Sequence, residues 1–192
     1  MMAKTTRPAP SIRPHEAVIL AIDSGGKSGW GMLDQGAPAQ PSGMLTWYGV
    51  ATKARQKHEI VVGASQYAAA VGRPLVGVLE DWQGLNASKG KESKQGGKRM
   101  STATILGMGA NRGAWEHEME LVEAPSVRVY SNTWRNPLLG GHRRPDGDAW
   151  KRDAVVLVRH LFAVDVPHDA AEAILLGTYA ARAAVVGELL AT

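Results

Sequence analysis

Cysteine is absent from this chain of 192 residues. That excludes structural disulfides, cysteine-ligated zinc and a cysteine nucleophile, and it fits a reducing compartment. No apolar run is long and charge-free enough to span a bilayer, so no membrane partner is expected. The opening residues, M-M-A-K-T-T-R-P-A-P-S-I-R-P, carry three prolines and no apolar segment. They are expected to form a disordered basic leader over 1–14, not a signal peptide or an anchor. Internal repeats are missing as well. What remains, 15–192, is long enough for one folded domain with a proper core, and the protein is expected to be cytoplasmic.

The formal net charge is +4 and the pI is near 9.5, a balance that points to an anionic partner. Its distribution says more than its total. Leu85 to Met100 carries Lys89, Lys91, Lys94, Lys98 and Arg99 against one acid, Glu92, and shows no apolar periodicity. It reads as a surface loop. Arg143 and Arg144, in G-G-H-R-R-P, make a second basic patch within a Gly-, Pro- and Arg-rich loop over 131–148.

The chain is organised around V-I-L-A-I-D-S-G-G-K-S-G-W-G-M-L, residues 18–33. A short β-branched run reads as a buried strand that ends on Asp23. Gly25, Gly26 and Gly29 then keep side chains off the turn, so a phosphate or a metal could approach the backbone. Lys27 in that turn is either a phosphate contact or solvent-facing. Three readings of the stretch stand together: a hairpin whose aspartate caps its turn, the first metal-binding carboxylate of a nuclease, and the phosphate loop of a kinase. The kinase needs a second phosphate loop and a second lobe, for which the chain is too short.

Further strands are predicted from Trp30, over 44–51, over 75–79 ending on Glu80 and Asp81, and over 127–130. Helices are predicted over 58–71, 101–121, 149–162 and 169–190. Ala103, Leu106, Ala110 and Ala114 share one side of the second helix. Trp47, Trp115, Trp134 and Trp150 are assigned to core or interface. The pattern is a mixed α/β sheet of five strands, an antiparallel meander followed by parallel strands, flanked by helices.

Four acids stand out. Asp23 and Glu80 each end an apolar strand. Asp169 and Glu172, spaced i and i+3 in D-A-A-E, share one face at the start of the last helix. They also read as the two halves of a capping box. Grouped carboxylates repel, and divalent cations relieve that repulsion. Magnesium takes hard oxygen ligands and leaves room for water and phosphate. Two such ions roughly 3.5–4 Å apart activate a water and stabilise the leaving oxygen of an in-line displacement.

In order along the chain, I-L-A-I-D-S-G-G-K-S-G-W-G-M-L, V-L-E-D-W, T-A-T-I-L-G-M-G-A-N-R-G-A-W and P-H-D-A-A-E-A-I-L-L-G resemble the RuvC family of Holliday-junction resolvases, in the ribonuclease H-like superfamily. The likeness runs from Val18 to about Ala181. It implies a ribonuclease H-like fold and a homodimer that cuts branched DNA, with Asp23, Glu80, Asp169 and Glu172 holding two Mg2+ ions for which Mn2+ would substitute. No nucleotide cofactor is implied. Arg135 and Lys151 occupy places where the family has lysines touching the scissile backbone. The chain departs from the family in having Glu172 in place of Asp and Arg135 in place of Lys. It also has a longer basic loop, with Trp82 alone available as an aromatic wedge. Such divergence suits a phage or mobile-element member.

Alternatives accompany these readings. Trp82 either stacks at a junction centre or lies buried. His168 either assists at the metals or fills a helix entry. A ribonuclease H acting on RNA–DNA hybrids would share the metals. A non-catalytic junction binder would gain nothing from carboxylates that face phosphate.

Overall fold

The computed structural model describes residues 17–36, 44–81, 102–140 and 149–182. The leader over 1–14, Ser101, Trp82, the basic loop with Lys89, Lys91, Lys94, Lys98 and Arg99, the Arg143–Arg144 turn and the end of the last predicted helix lie outside the described residues. The elements are β1 (Val18–Asp23), β2 (Ser28–Asp34), β3 (Leu45–Ala51), α1 (Ala54–Ala70), β4 (Leu75–Asp81), α2 (Thr102–Leu121), β5 (Ser126–Tyr130), α3 (Ser131–Leu139), α4 (Ala149–Phe162) and α5 (His168–Arg182).

The strands make one five-stranded sheet in the order β3-β2-β1-β4-β5. β1 pairs antiparallel with β2, and β2 with β3, while β4 runs parallel to both β1 and β5. This is the mixed α/β sheet expected from the sequence. β1 is central and covered on both sides, which is why its residues are uniformly apolar up to Asp23. Ile19 and Ala21 join Val76, Val78 and Val129 in a core capped by α3, α4 and α5. Val18, Leu20 and Ile22 face a second core with Val61, Trp115 and Met119 from α1 and α2.

α5 lies directly on the sheet because small residues let it. A Cβ on Gly31 would come within 2.7 Å of the Ile174 side chain, and one on Gly177 within 2.4 Å of Leu33. Gly29 is tighter still, since its Cβ would sit 1.7 Å from the backbone oxygen of Asp169. The glycine therefore admits the start of α5, where the sequence suggested room for a ligand.

Several boundaries differ from expectation. α1 starts at Ala54, four residues before the expected His58, because the Gln56 side chain accepts the N–H groups of Thr52 (2.9 Å) and Lys53 (3.0 Å). Its end is as expected, with Gly72 at φ +69°. β4 runs on through Glu80 and Asp81, which pair with Val129 and Tyr130, so these acids lie within the strand. Residues 131–139, expected as loop, form α3. Pro137 made them look unhelical. It falls near the end of a nine-residue helix, where burial of Trp134 and Leu139 offsets the lost hydrogen bond. On α2 the buried side chains are Trp115 and Met119, while Ala103, Leu106 and Ala110 are exposed. Of the tryptophans assigned to core or interface, Trp115 and Trp134 are fully buried, and Trp47 is 48% exposed.

Candidate active site

Strand periodicity places the first two acids. Ile19, Ala21 and Asp23 point to one face of β1, and Val76, Val78 and Glu80 point to the same face of the adjacent parallel β4. Since Ile22 pairs with Leu79, the next residues, Asp23 and Glu80, stand side by side at the C-terminal ends of these strands. α5 crosses that face and brings Glu172 down onto them, buried like the other two. Asp169, one turn earlier, is half-buried and lies 2.9 Å from His168 Nε2 through its Oδ1.

Burial pushes the Asp23 carboxyl well above the ordinary carboxylate range. The charges of Glu80 and Glu172 push it further, while Arg135 opposes them. Burial also raises Glu172. Arg135 and Lys151 pull it down, and Glu80 and Asp169 push it up. Two acids that bind protons more tightly folded than unfolded make the folded state take up protons. Their contribution to stability is complete below their unfolded values and is lost as pH rises through their folded values. In chelator, Asp23→Asn is therefore expected to melt higher than wild type at neutral pH, by ~2–4 °C for each kcal/mol of strain relieved. The gap should close as pH is lowered toward 4. A neutral-pH melting temperature equal to or below that of wild type would contradict it.

Arg135 on α3 links the acids. Its Nη2 lies 3.0 Å from Glu80 Oε1 and 3.2 Å from Glu172 Oε1, and its guanidinium carbon lies 5.1 Å from the Trp134 ring centroid. The Trp134 indole N–H donates to Glu80 Oε1 at 3.1 Å, a role that its assignment to the core did not anticipate. The adjacent W-R pair was the available signal. Ser24 and Ser131 fasten the strand ends, donating to the backbone oxygens of Glu80 (3.1 Å) and Asp81 (3.2 Å). Asp81 points to the opposite face, where it pairs with Arg112. Lys27 is exposed on the turn.

Among the described residues, no three His, Asp or Glu side chains converge as a ready-made ion cage. Arg135 supplies the cation between Glu80 and Glu172. The residues nevertheless fit a divalent ion. Glu80 Oε2 is buried and has no hydrogen-bond partner, and every nearby acidic donor is a hard oxygen.

The sequence matches no family model and no curated protein. Solved structures do match. The chain is similar to Thermus thermophilus RuvC, with a TM-score of 0.52 at 15% identity over 86% of this chain and 95% of that one. It is also similar to T. thermophilus RuvC in complex with a Holliday junction substrate, with a TM-score of 0.57 at 14% identity over 84% and 91% of the two chains. The fold is RuvC-like. At this identity the likeness concerns architecture, and within the RuvC-like fold the chain's own acids occupy the adjacent ends of β1 and β4.

Proposed function

We propose that this protein is a divalent-metal-dependent DNA endonuclease that resolves Holliday junctions or related branched DNA in recombination. One observation carries the reading: the buried Asp23 and Glu80 stand side by side at adjacent strand ends, Arg135 bridges Glu80 to the buried Glu172 of α5, and Glu80 Oε2 has no hydrogen-bond partner. A buried carboxylate oxygen without a partner is costly, and its retention is explained by a ligand that completes it. The similarity to a RuvC bound to a Holliday junction supports branched DNA as the substrate class.

In this reading Asp23, Glu80, Asp169 and Glu172 hold Mg2+, or Mn2+ in its place. When bound, the ions supply relief of the acids' repulsion and the Lewis acidity that phosphodiester hydrolysis needs. Trp134 orients Glu80 through its indole N–H. A guanidinium donates hydrogen bonds and does not act as a general base, so the part of Arg135 is phosphate contact. Lys151, Arg152 and His168 line a groove of about 620 Å³ whose apolar wall is Val155 and Val156. Cations beside an apolar wall suit a nucleic-acid strand, phosphates on one side and a base on the other. Trp82 and the basic residues Lys89, Lys91, Lys94, Lys98, Arg99, Arg143 and Arg144 belong to the proposal as further DNA contacts.

Paired cuts in two strands call for two copies of the site, so a homodimer is part of the proposal. The exposed Leu106, with Ala103 and Ala110 on the same helix, makes α2 the candidate contact. No described helix is long and apolar enough to cross a membrane. Action on DNA inside the cell, phage-encoded or not, follows from the proposed substrate.

The test is incubation with labelled four-way junction, linear duplex and RNA–DNA hybrid, each with Mg2+ and with chelator. Symmetric, Mg2+-dependent nicking of the junction alone is expected. Hybrid cleavage would keep the metals and change the substrate, and tight junction binding without cleavage would remove the enzyme.

A further inference from the structure

Behind the turn that carries Asp23 lies an ammonium in an apolar place. Lys57 of α1 is 6% exposed, beside the core of Val61, Trp115 and Met119, and its Nζ lies 5.7 Å from the Trp115 ring centroid. Burial lowers its pKa, and Glu118 partly restores it. A methionine would fill the same space without desolvating a charge, so packing does not explain the lysine. Its hydrogen bonds do. Nζ donates to the Oδ1 of Asn111 on α2, and to the Asn111 backbone oxygen at 3.3 Å.

An ammonium has donors only. It therefore settles which way the Asn111 amide faces: Oδ1 toward Lys57, Nδ2 toward the turn. There the two Nδ2 hydrogens are shared among the backbone oxygens of Ser24 (3.2 Å) and Gly25 (2.5 Å) and Ser28 Oγ (2.8 Å). Ser28 Oγ also accepts the Trp115 indole N–H at 2.9 Å. The held residue, Gly25, donates its N–H to Asp23 Oδ1 at 3.2 Å. The hydrogen bonds thus run without a gap from Lys57 through Asn111 and Gly25 to the Asp23 carboxylate. A turn of Ser24, Gly25, Gly26 and Lys27 has much backbone freedom to lose, and this relay removes it.

We propose that Lys57 and Asn111 are positioning residues, a relay from α1 and α2 that fixes the Asp23 carboxylate for a divalent ion. The inference rests on the metal-dependent reading above and adds to it two residues that lie outside the carboxylate cluster.

The test is Mn2+ binding, followed by the electron paramagnetic resonance of the free ion, beside thermal melting in chelator and junction cleavage. Lys57→Met should weaken Mn2+ binding by about 10-fold, the low end for groups that orient ligands. Its melting temperature should hold or rise. Asn111→Asp keeps a partner for Lys57 but turns an oxygen toward the Ser24 and Gly25 carbonyls, so its loss should be at least as large. In both, cleavage should fall in kcat with junction affinity unchanged. If Asn111→Asp fails to fold, Lys57→Met decides. Wild-type Mn2+ affinity in folded variants would overturn the relay and leave the nuclease reading intact. A lowered melting temperature with unchanged Mn2+ affinity in the folded protein would overturn it too. A wild-type chain that takes up no Mn2+ would sink the metal reading, and the relay with it.

Discussion

Glu80→Gln is expected to leave a folded protein that binds branched DNA and no longer cuts it, with cleavage down on the order of 10²–10³-fold or more. The wild-type side chain is fully buried, with Oε1 held by Trp134 and Arg135 and Oε2 bare. Glutamine fits the same space and still accepts the indole N–H through its remaining oxygen. Its amide nitrogen takes the place of the bare Oε2, on the strand beside Asp23. Folding should therefore be maintained while the charge that would hold a cation is gone. Paired measurements of cleavage with Mg2+ and of junction binding in chelator separate the two. Cleavage within a few-fold of wild type would show that the buried acids are not the active site. The expected rise in stability of Asp23→Asn makes the same point from the other side, since a cluster that strains the apo fold is kept for use.

The second large effect comes from a residue with no chemistry. Gly29→Ala would place its Cβ 1.7 Å from the backbone oxygen of Asp169, 2.1 Å from its carbonyl carbon and 2.8 Å from the nitrogen of Ala170. These are main-chain atoms of the first turn of α5, and no rotamer change relieves them. The helix start must lift from β2, carrying Asp169 and Glu172 away from Asp23 and Glu80. A loss of about 1–3 kcal/mol is expected, seen as a fall of some ~2–4 °C in melting temperature per kcal/mol. Cleavage should be lost even well below the melting point. Two neighbours calibrate the result. Gly26→Ala meets nothing within 4 Å and should change stability by less than about 0.5 kcal/mol. Gly31→Ala meets chiefly the Ile174 side chain, at 2.7 Å, which can shift in part. Equal behaviour of Gly29→Ala and Gly26→Ala would refute the close approach.

The strand framework is legible in the sequence because β1 and β4 are covered on both faces, and a short, uninterrupted β-branched run bounded by turn residues is the mark of a buried strand. The acids at their ends are legible for the same reason: a carboxylate closing such a run is conspicuous. α3 is not legible, since Pro137 speaks against a helix that tertiary burial of Trp134 and Leu139 nonetheless sustains. Lys57 and Asn111 look like ordinary polar residues on helices. Only the approach of α1 and α2 to the glycine turn gives them partners, and that approach involves residues 54 and 86 positions apart in the chain. The outward turn of Leu106 escapes a periodicity argument because α2 alternates small residues around its whole circumference.

α3 begins at Ser131, the residue immediately after β5 ends at Tyr130. Arg135 is thus the fifth residue of a helix with no slack behind it, and its bearing on Glu80 and Glu172 is set by the pitch of that helix. One residue added at the junction would turn the guanidinium by about 100° around the helix axis and advance it by about 1.5 Å. The hinge between strand and helix behaves as a fixed gear, so any change of chain length that spares the site has to fall elsewhere.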